Sequence, residues 1–332
     1  MKAFLKKIIP VSILNKRHKN FVVKRLSQFF KYDEDLFFKH SSIWKKDVQS
    51  KQIGVIVLLY HVIEKGLTMP NMKLGFGKEK LIQLIDECNS YHLKYDISNT
   101  QFIHALGVIQ EYKYVHSQNN FELEAGLDLK IDSLLNKTST IPQVEQISEN
   151  KNNYFSQIYS SFDLFSQSRK SIRSFEGTVE MAKIYEAIAL AQNTPSTCNR
   201  QPVRVHVVEN KEKIQQVLEI QKGNRGFGHL VDKAIVVTAD LSIYQSAEER
   251  YTSYVDGGMH AMNLLYALHY HKIAACPLNW SKSPEEDLKL RATIKIPDSE
   301  VIILVIACGS VPEDFKIAAS VRNNYKDITT TH

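Results

Sequence analysis

Ser168-Arg169-Lys170-Ser171-Ile172-Arg173-Ser174-Phe175 lies near the midpoint of the 332-residue chain and divides it into two textures. Arg169 and Arg173 stand four apart, with Lys170 between them and three serine hydroxyls around them. Guanidinium groups grip phosphate bidentately, and small hydroxyls add donors without excluding a ligand. A helical turn here would set positions 169 and 173 on one face, able to close on one anion. The same eight residues would also serve as a solvated basic turn, so the flanking segments decide.

Upstream, residues 1–150 read as helical throughout. Phe21-Val22-Val23, Leu26, Phe29 and Phe30 form a stripe at helical spacing, with the lysines and arginines off it. Ile53–Ile63 predicts a buried helix ending near Gly66 as its C-cap. A turn-rich stretch, Met69 to Gly77, follows. Three more helices run through Leu81–Cys88, Phe102–Ile109 and Leu127–Leu135. The polar stretch Lys137–Asn153, with Pro142, reads as a linker.

Downstream, strands and helices alternate. The sequence predicts helices from Thr178 to Ala191, over Lys211–Gln221 and over 248–271. It predicts strands at Val203–Val207, Ala234–Val237, Ile273–Cys276 (ending at Pro277) and Val301–Ile306, the last buried on both faces. Ser283-Pro284-Glu285-Glu286 is a capping box with proline at the first helical position. Gly257-Gly258 within the long helix marks a close backbone approach. Interleaved strands and helices of this kind form an α+β or α/β layer structure, preceded by an all-α domain. The domains are 1–150, helical with a basic arm, and 151–332.

Composition is that of a soluble globular protein, 43% hydrophobic and 23% charged. The net charge of +6 is concentrated. Lys2, Lys6, Lys7, Lys16, Arg17, Lys19, Lys24, Arg25 and Lys31 precede the first acidic residue, Asp33. Residues 1–31 thus read as an arm for peripheral contact with an anionic membrane, or as a solvated helix face. The basic residues lack a groove-reading motif and stacking aromatics, which argues against nucleic acid. Cys88, Cys198, Cys276 and Cys308 have neither zinc nor disulfide spacing, which fits a reducing, cytoplasmic compartment. His61 and Glu64 lie three apart on one helix, but no HExxH pattern completes a metal site, and a structural role is preferred.

Four stretches carry the residue types of a site for a phosphate-bearing, flat-ring cofactor. They are 168–174, Asn193 to Pro202, Ala274 to Trp280, and Ser320-Val321-Arg322. In this order they resemble the nitroreductase family. Arg169-Lys170-Ser171-Ile172-Arg173 is similar to the family's Arg-Arg-Ser-x-Arg. Thr194-Pro195-Ser196-Thr197-Cys198-Asn199-Arg200-Gln201-Pro202-Val203 resembles Ala-Pro-Ser-x-x-Asn-x-Gln-Pro-Trp. Cys276-Pro277-Leu278-Asn279 resembles a Thr-Pro-Leu-Asn block, and Arg322 the last residue of Lys-x-Arg.

The resemblance implies an α+β fold, with a central mixed or antiparallel sheet flanked by helices after the all-α domain, and an FMN-dependent oxidoreductase. NADH or NADPH would give hydride to the flavin, and a small-molecule substrate would take it in a ping-pong cycle. It implies that Arg169, Lys170, Ser171, Arg173 and Arg322 surround the FMN phosphate. Pro195, Ser196 and Asn199 would lie along the flavin and its ribityl chain, and Cys276, Pro277 and Leu278 would face the ring, mostly through backbone. It implies a homodimer with flavin at the interface, the Gly257-Gly258 helix packing on its twin. No side chain is nominated as catalytic acid, base or nucleophile; Cys276 and Cys198 read as small apolar fillers. The helical domain would cap the site, with Glu64–Gly77 as lid. Lys170, Val203 and Ser320 depart from the family's arginine, tryptophan and lysine. These departures motivate the alternative, a catalytically reduced flavin-binding or assembly protein docked at a membrane through its basic arm.

Overall fold

A computed structural model describes residues 11–138 and 141–332; Lys2, Lys6 and Lys7 of the basic arm lie outside the described residues. Helix α1, Val11–His40, carries the rest of that arm. Among the described residues its apolar side chains are largely uncovered: Phe21, Phe30, Phe37 and Phe38 are each more than half exposed, and Leu26 and Phe29 are partly buried. A few polar contacts tether the helix, among them Lys51 Nζ donating to the Lys39 carbonyl at 3.4 Å. Arg250 donates from Nε and Nη2 to the Asp33 carboxylate at 2.5 and 2.7 Å and lies over the Phe29 ring, and Arg25 pairs with Glu248.

Four helices then pack around one core: α2 (Gln49–Leu67), α3 (Lys78–His92), α4 (Thr100–Gln118) and α5 (Ala125–Leu135). Ile56, Ile63, Leu84, Ile85, Tyr91, Phe102, Leu106 and Ile131 are fully enclosed there, as their helical spacing demands. Asn99 caps α4 by accepting from the N–H groups of Gln101 and Phe102. Gly66 is not the C-cap, because α2 continues to Leu67. Its lack of a side chain has another cause: a Cβ there would fall 1.8 Å from the Phe76 ring, which packs on Tyr112. Alanine would gain about 1 kcal/mol in helix propensity, but displacing a packed ring costs about 1–3. Gly66→Ala is therefore expected to lower stability by up to about 2 kcal/mol in urea unfolding.

Residues 147–150, expected to be helix and linker, instead form strand β1, Ile147–Asn150, antiparallel to β6, Asp314–Ile317, with Ile147 opposite Ile317. The polar stretch 137–153 is thus a tie to the C-terminal strand and not a free linker. Short helices α6 (Lys151–Tyr154) and α7 (Phe162–Ser168) lead to the basic run.

The main sheet holds β2 (Val203–Val208), β3 (Lys233–Asp240), β4 (Ala274–Asn279) and β5 (Glu300–Gly309) in the order β2-β3-β5-β4, all antiparallel. One face, with Val236, Cys276 and Val305, packs under α9 (Lys211–Gln221) and α11 (Pro284–Ile294). The other, with Ile235, Val237 and Ile306, packs on α8 (Met181–Ala191) and α10 (Thr252–Tyr270). The capping box at Ser283 and Glu286 is formed, and helix 211–221 has the expected bounds. The expected 248–271 helix is broken into a 3₁₀ turn, Ala247–Glu249, and α10. A Cβ on Gly257 would meet Ile303 of β5 at 2.6 Å, so its close approach is to the sheet, whereas Gly258 faces open space.

Candidate functional site

The basic run is extended and not a helical turn: α7 stops at Ser168, and Arg169 already has φ −65°, ψ 116°. The run lies along the free edge of β4, where the Ile172 N–H donates to the Ala275 carbonyl at 3.1 Å. An extended chain repeats every two residues, so Arg169, Ser171 and Arg173 still share a side while Ile172 enters the core. The expected convergence is met by a different geometry.

Backbone groups in an antiparallel strand alternate between its two edges. Since Ala275 faces the run, Pro277 does too, and Cys276 and Leu278 turn toward β5. Strand β4 therefore passes through Pro277 instead of ending there, because proline on an edge removes no ladder donor. Of the three residues expected at the ring, Pro277 lines the cleft. The Cys276 and Leu278 side chains are buried in the core beneath, and burial pushes the Cys276 thiol up.

Arg169, Lys170, Ser171, Arg173, Pro277 and Arg322 line one cleft of about 860 Å³. Its positive charge is not balanced. Burial, then Arg169 and Arg322 nearby, lower the Lys170 ammonium. Burial, then Arg173, lower Lys65. Burial, with Arg169 adding, brings His269 to about 4. Nε and Nη1 of Arg169 are buried without a hydrogen-bond partner. A desolvated guanidinium in this state lacks an anionic acceptor.

The turn bearing Arg322 is held by residues far away in sequence. Ser320 has φ 46°, and its N–H donates to Glu64 Oε1 at 3.1 Å; Ala319 N–H donates to Gln146 Oε1 at 3.0 Å. Gln101 Nε2 donates to Asn323 Oδ1 at 2.6 Å. Tyr60, His61 and Gln101, from the helical part, line the same cleft. The expected lid does not: residues 67–72 line a separate cleft beside β1 and β6. Sequence reasoning had His61 and Glu64 as a pair but had no signal for the contact with Ser320.

Pro195 and Ser196 line another recess, with Asp256 and His260 of α10. Asp256 accepts from the Thr197 N–H at 3.2 Å and from its hydroxyl at 3.0 Å, and Ser196 Oγ accepts from the Gln201 N–H at 2.9 Å. Cys198, Asn199 and Gln201 all have φ near +50°, a cluster of left-handed residues that the Asp256 anchor stabilises. Within one chain this loop does not share the basic cleft, a separation the motif order did not reveal. Among the described residues no group of His, Cys, Asp and Glu could hold a metal ion, and no helix is long and apolar enough to cross a membrane.

Residues 167–310, somewhat less than half of the chain, match the profile of the Nitroreductase family. No curated protein matches the chain. Among solved structures, an FMN-dependent nitroreductase from Clostridium difficile R20291 is 22% identical over 51% of this chain and 98% of its own, with a TM-score of 0.43. A nitroreductase family protein from Clostridium novyi NT is 19% identical over 46% and 86%, TM-score 0.40. A protein from Exiguobacterium sibiricum 255-15, solved in complex with FMN, is 16% identical over 52% and 98%, TM-score 0.46. The chain thus carries, over residues 167–310, a match to the nitroreductase family, preceded by a helical region that the match does not include.

Proposed function

We propose that the chain is an FMN-dependent oxidoreductase that uses NADH or NADPH and a small-molecule acceptor and works as a homodimer. The observation that carries this reading is Arg169, whose Nε and Nη1 lie buried and unpartnered beside the cationic cleft. A phosphate monoester supplies the missing charge and acceptors, and the residues present fit it. Arg169, Ser171, Arg173 and Arg322 would hold the phosphate, with Lys170 adding charge. Pro277 presents an apolar surface without an N–H. Bound FMN would supply the capacity to take hydride from the nicotinamide and pass it on. The protein's part is to orient that group and to surround it with fixed positive charge.

Pro195 and Ser196 line a different recess and Asn199 lies on the same loop, so in this reading they serve the flavin held by a second copy. The exposed Tyr254, Val255 and Met259 of α10 give such a copy an apolar face. We take 1–150 and 151–332 as the helical and flavin-binding domains, and a cytoplasmic setting with peripheral membrane contact through 1–31. Titrating the full chain with FMN is expected to give a yellow complex of one flavin per chain. Anaerobic NADH or NADPH is then expected to bleach it. A protein that stays colourless at saturating FMN overturns the reading. A complex that neither nucleotide bleaches favours the non-catalytic assembly role.

A further inference from the structure

The family match begins at residue 167, yet part of the basic cleft's wall comes from α2 and α4, well before it. Glu64, fully buried, lies behind that wall and ties it to the C-terminal turn. Its Oε1 accepts from His104 Nε2 at 2.7 Å and from the Ser320 N–H at 3.1 Å, and its Oε2 faces His61 Nδ1 at 3.1 Å. With its Nδ1 proton given to a carboxylate, a neutral His61 has only a lone pair on Nε2. Arg173 Nη2 lies 3.4 Å from that lone pair and donates to it. His61 is more than one-third exposed and faces the cleft. Its Nε2 therefore occupies a donor of Arg173 and offers none of its own to the cleft.

The charges around His61 set its response. On its own helix are Glu64, Lys65 and Tyr60. The basic run brings Arg169, Lys170 and Arg173, the C-terminal turn brings Arg322, and α4 brings His104 behind Glu64. Glu64 is the single acid in this set, against five cations. Entry of a dianion reverses that balance, because an imidazolium can then donate to Glu64 through Nδ1 and to the anion through Nε2. Arg173 is released from the lone pair at the same time and turns its donor to the ligand.

We propose that His61, contributed by the helical region, is a ligand of the phosphate group in this cleft and takes up a proton from solvent as that group binds. The proposal rests on the reading that the cleft holds the phosphate of FMN. It makes the helical region part of the binding site instead of a cover over it.

Isothermal titration with FMN at pH 7.5, in two buffers of different ionisation enthalpy, measures the proton directly. Wild-type chain is expected to take up a substantial fraction of a proton. His61→Gln is expected to bind FMN about tenfold more weakly, with that fraction reduced. Between pH 7 and 9, where the phosphate is already dianionic, wild-type affinity is expected to fall more steeply than that of the variant. Lys65 and Lys170 also titrate low, but both remain in the variant, so the difference isolates His61. Riboflavin, which lacks the phosphate, is expected to take up no proton in either protein. His61→Phe serves as the second variant, with the same expectation. Equal proton uptake in wild type and variant, or no uptake by wild type, overturns the proposal. Uptake with inorganic phosphate but no binding of FMN would overturn the flavin reading and leave the role of His61 standing; binding of neither overturns both.

Discussion

Glu64→Ala is expected to destabilise the folded chain by about 3–5 kcal/mol, the usual cost of removing one partner from a buried ionic network. His104, His61 and the Ser320 N–H lose their common acceptor together, inside a fully buried site. The turn carrying Arg322 would come loose with it, so FMN affinity should fall in step with stability. Urea unfolding followed by circular dichroism measures the first effect; a loss below 1 kcal/mol would refute the role given to this carboxylate.

The same residue predicts an acid response. Burial pushes the Glu64 carboxyl up, but the hydrogen bonds from His104 and His61 outweigh burial and bring it from 4.5 to about 2. A folded-state value below the unfolded one gives stability that is fully present above pH 4.5 and lost as pH falls through about 2. The shift corresponds to about 3 kcal/mol. Glu64→Gln should therefore lose less stability than wild type between pH 5 and 2, although it starts lower. Parallel curves for the two proteins would mean that Glu64 carries no such linkage.

Arg169→Ala should separate binding from stability. Truncating a desolvated charge contact to the phosphate is expected to cost about 3 kcal/mol of FMN affinity, more than a hundredfold. The free protein should lose little, since Nε and Nη1 make no hydrogen bond there to be lost. It should also relieve His269, whose pKa burial and Arg169 hold at about 4, so that this imidazole titrates closer to neutral pH in the variant. Flavin fluorescence quenching and thermal melting of the FMN-free protein give the two numbers. Undiminished affinity would remove Arg169 from the site.

What the sequence made legible was local. Helix 211–221 is capped by Asn210, and the box at Ser283 and Glu286 closes as written, because each is decided within a few residues. Val301–Ile306 becomes part of β5, held between β3 and β4, because that many consecutive β-branched and aliphatic side chains need sheet on both sides. Most of the failures concern partners distant in the chain. Nothing near Ile172 says that its N–H meets Ala275, so the spacing of Arg169 and Arg173 suggested a helix when an extended run serves as well. Gly66 looked like a cap because Phe76, ten residues on, is the reason for it. Ile147–Asn150 has no strand character of its own and becomes one only against Asp314–Ile317. The basic cleft was legible as a set of residue types; its wall from α2 and α4 was not, since Glu64 and Ser320 are linked only in the folded chain.

The pairing of β1 with β6 bears on how the molecule is made. The four-helix core can collapse as soon as residue 135 has left the ribosome, since its contacts lie close together in the chain. Strand β1 follows directly but has no neighbour until residues 314–317 have been synthesised. Through that interval the nascent chain displays a bare β edge beside a finished helical body, the kind of surface that sticks to other chains. Glu149 and its polar neighbours Ser148 and Asn150 keep this edge hydrophilic while it waits, and translation that stalls before residue 314 would leave the helical body complete and the anion site without its last arginine.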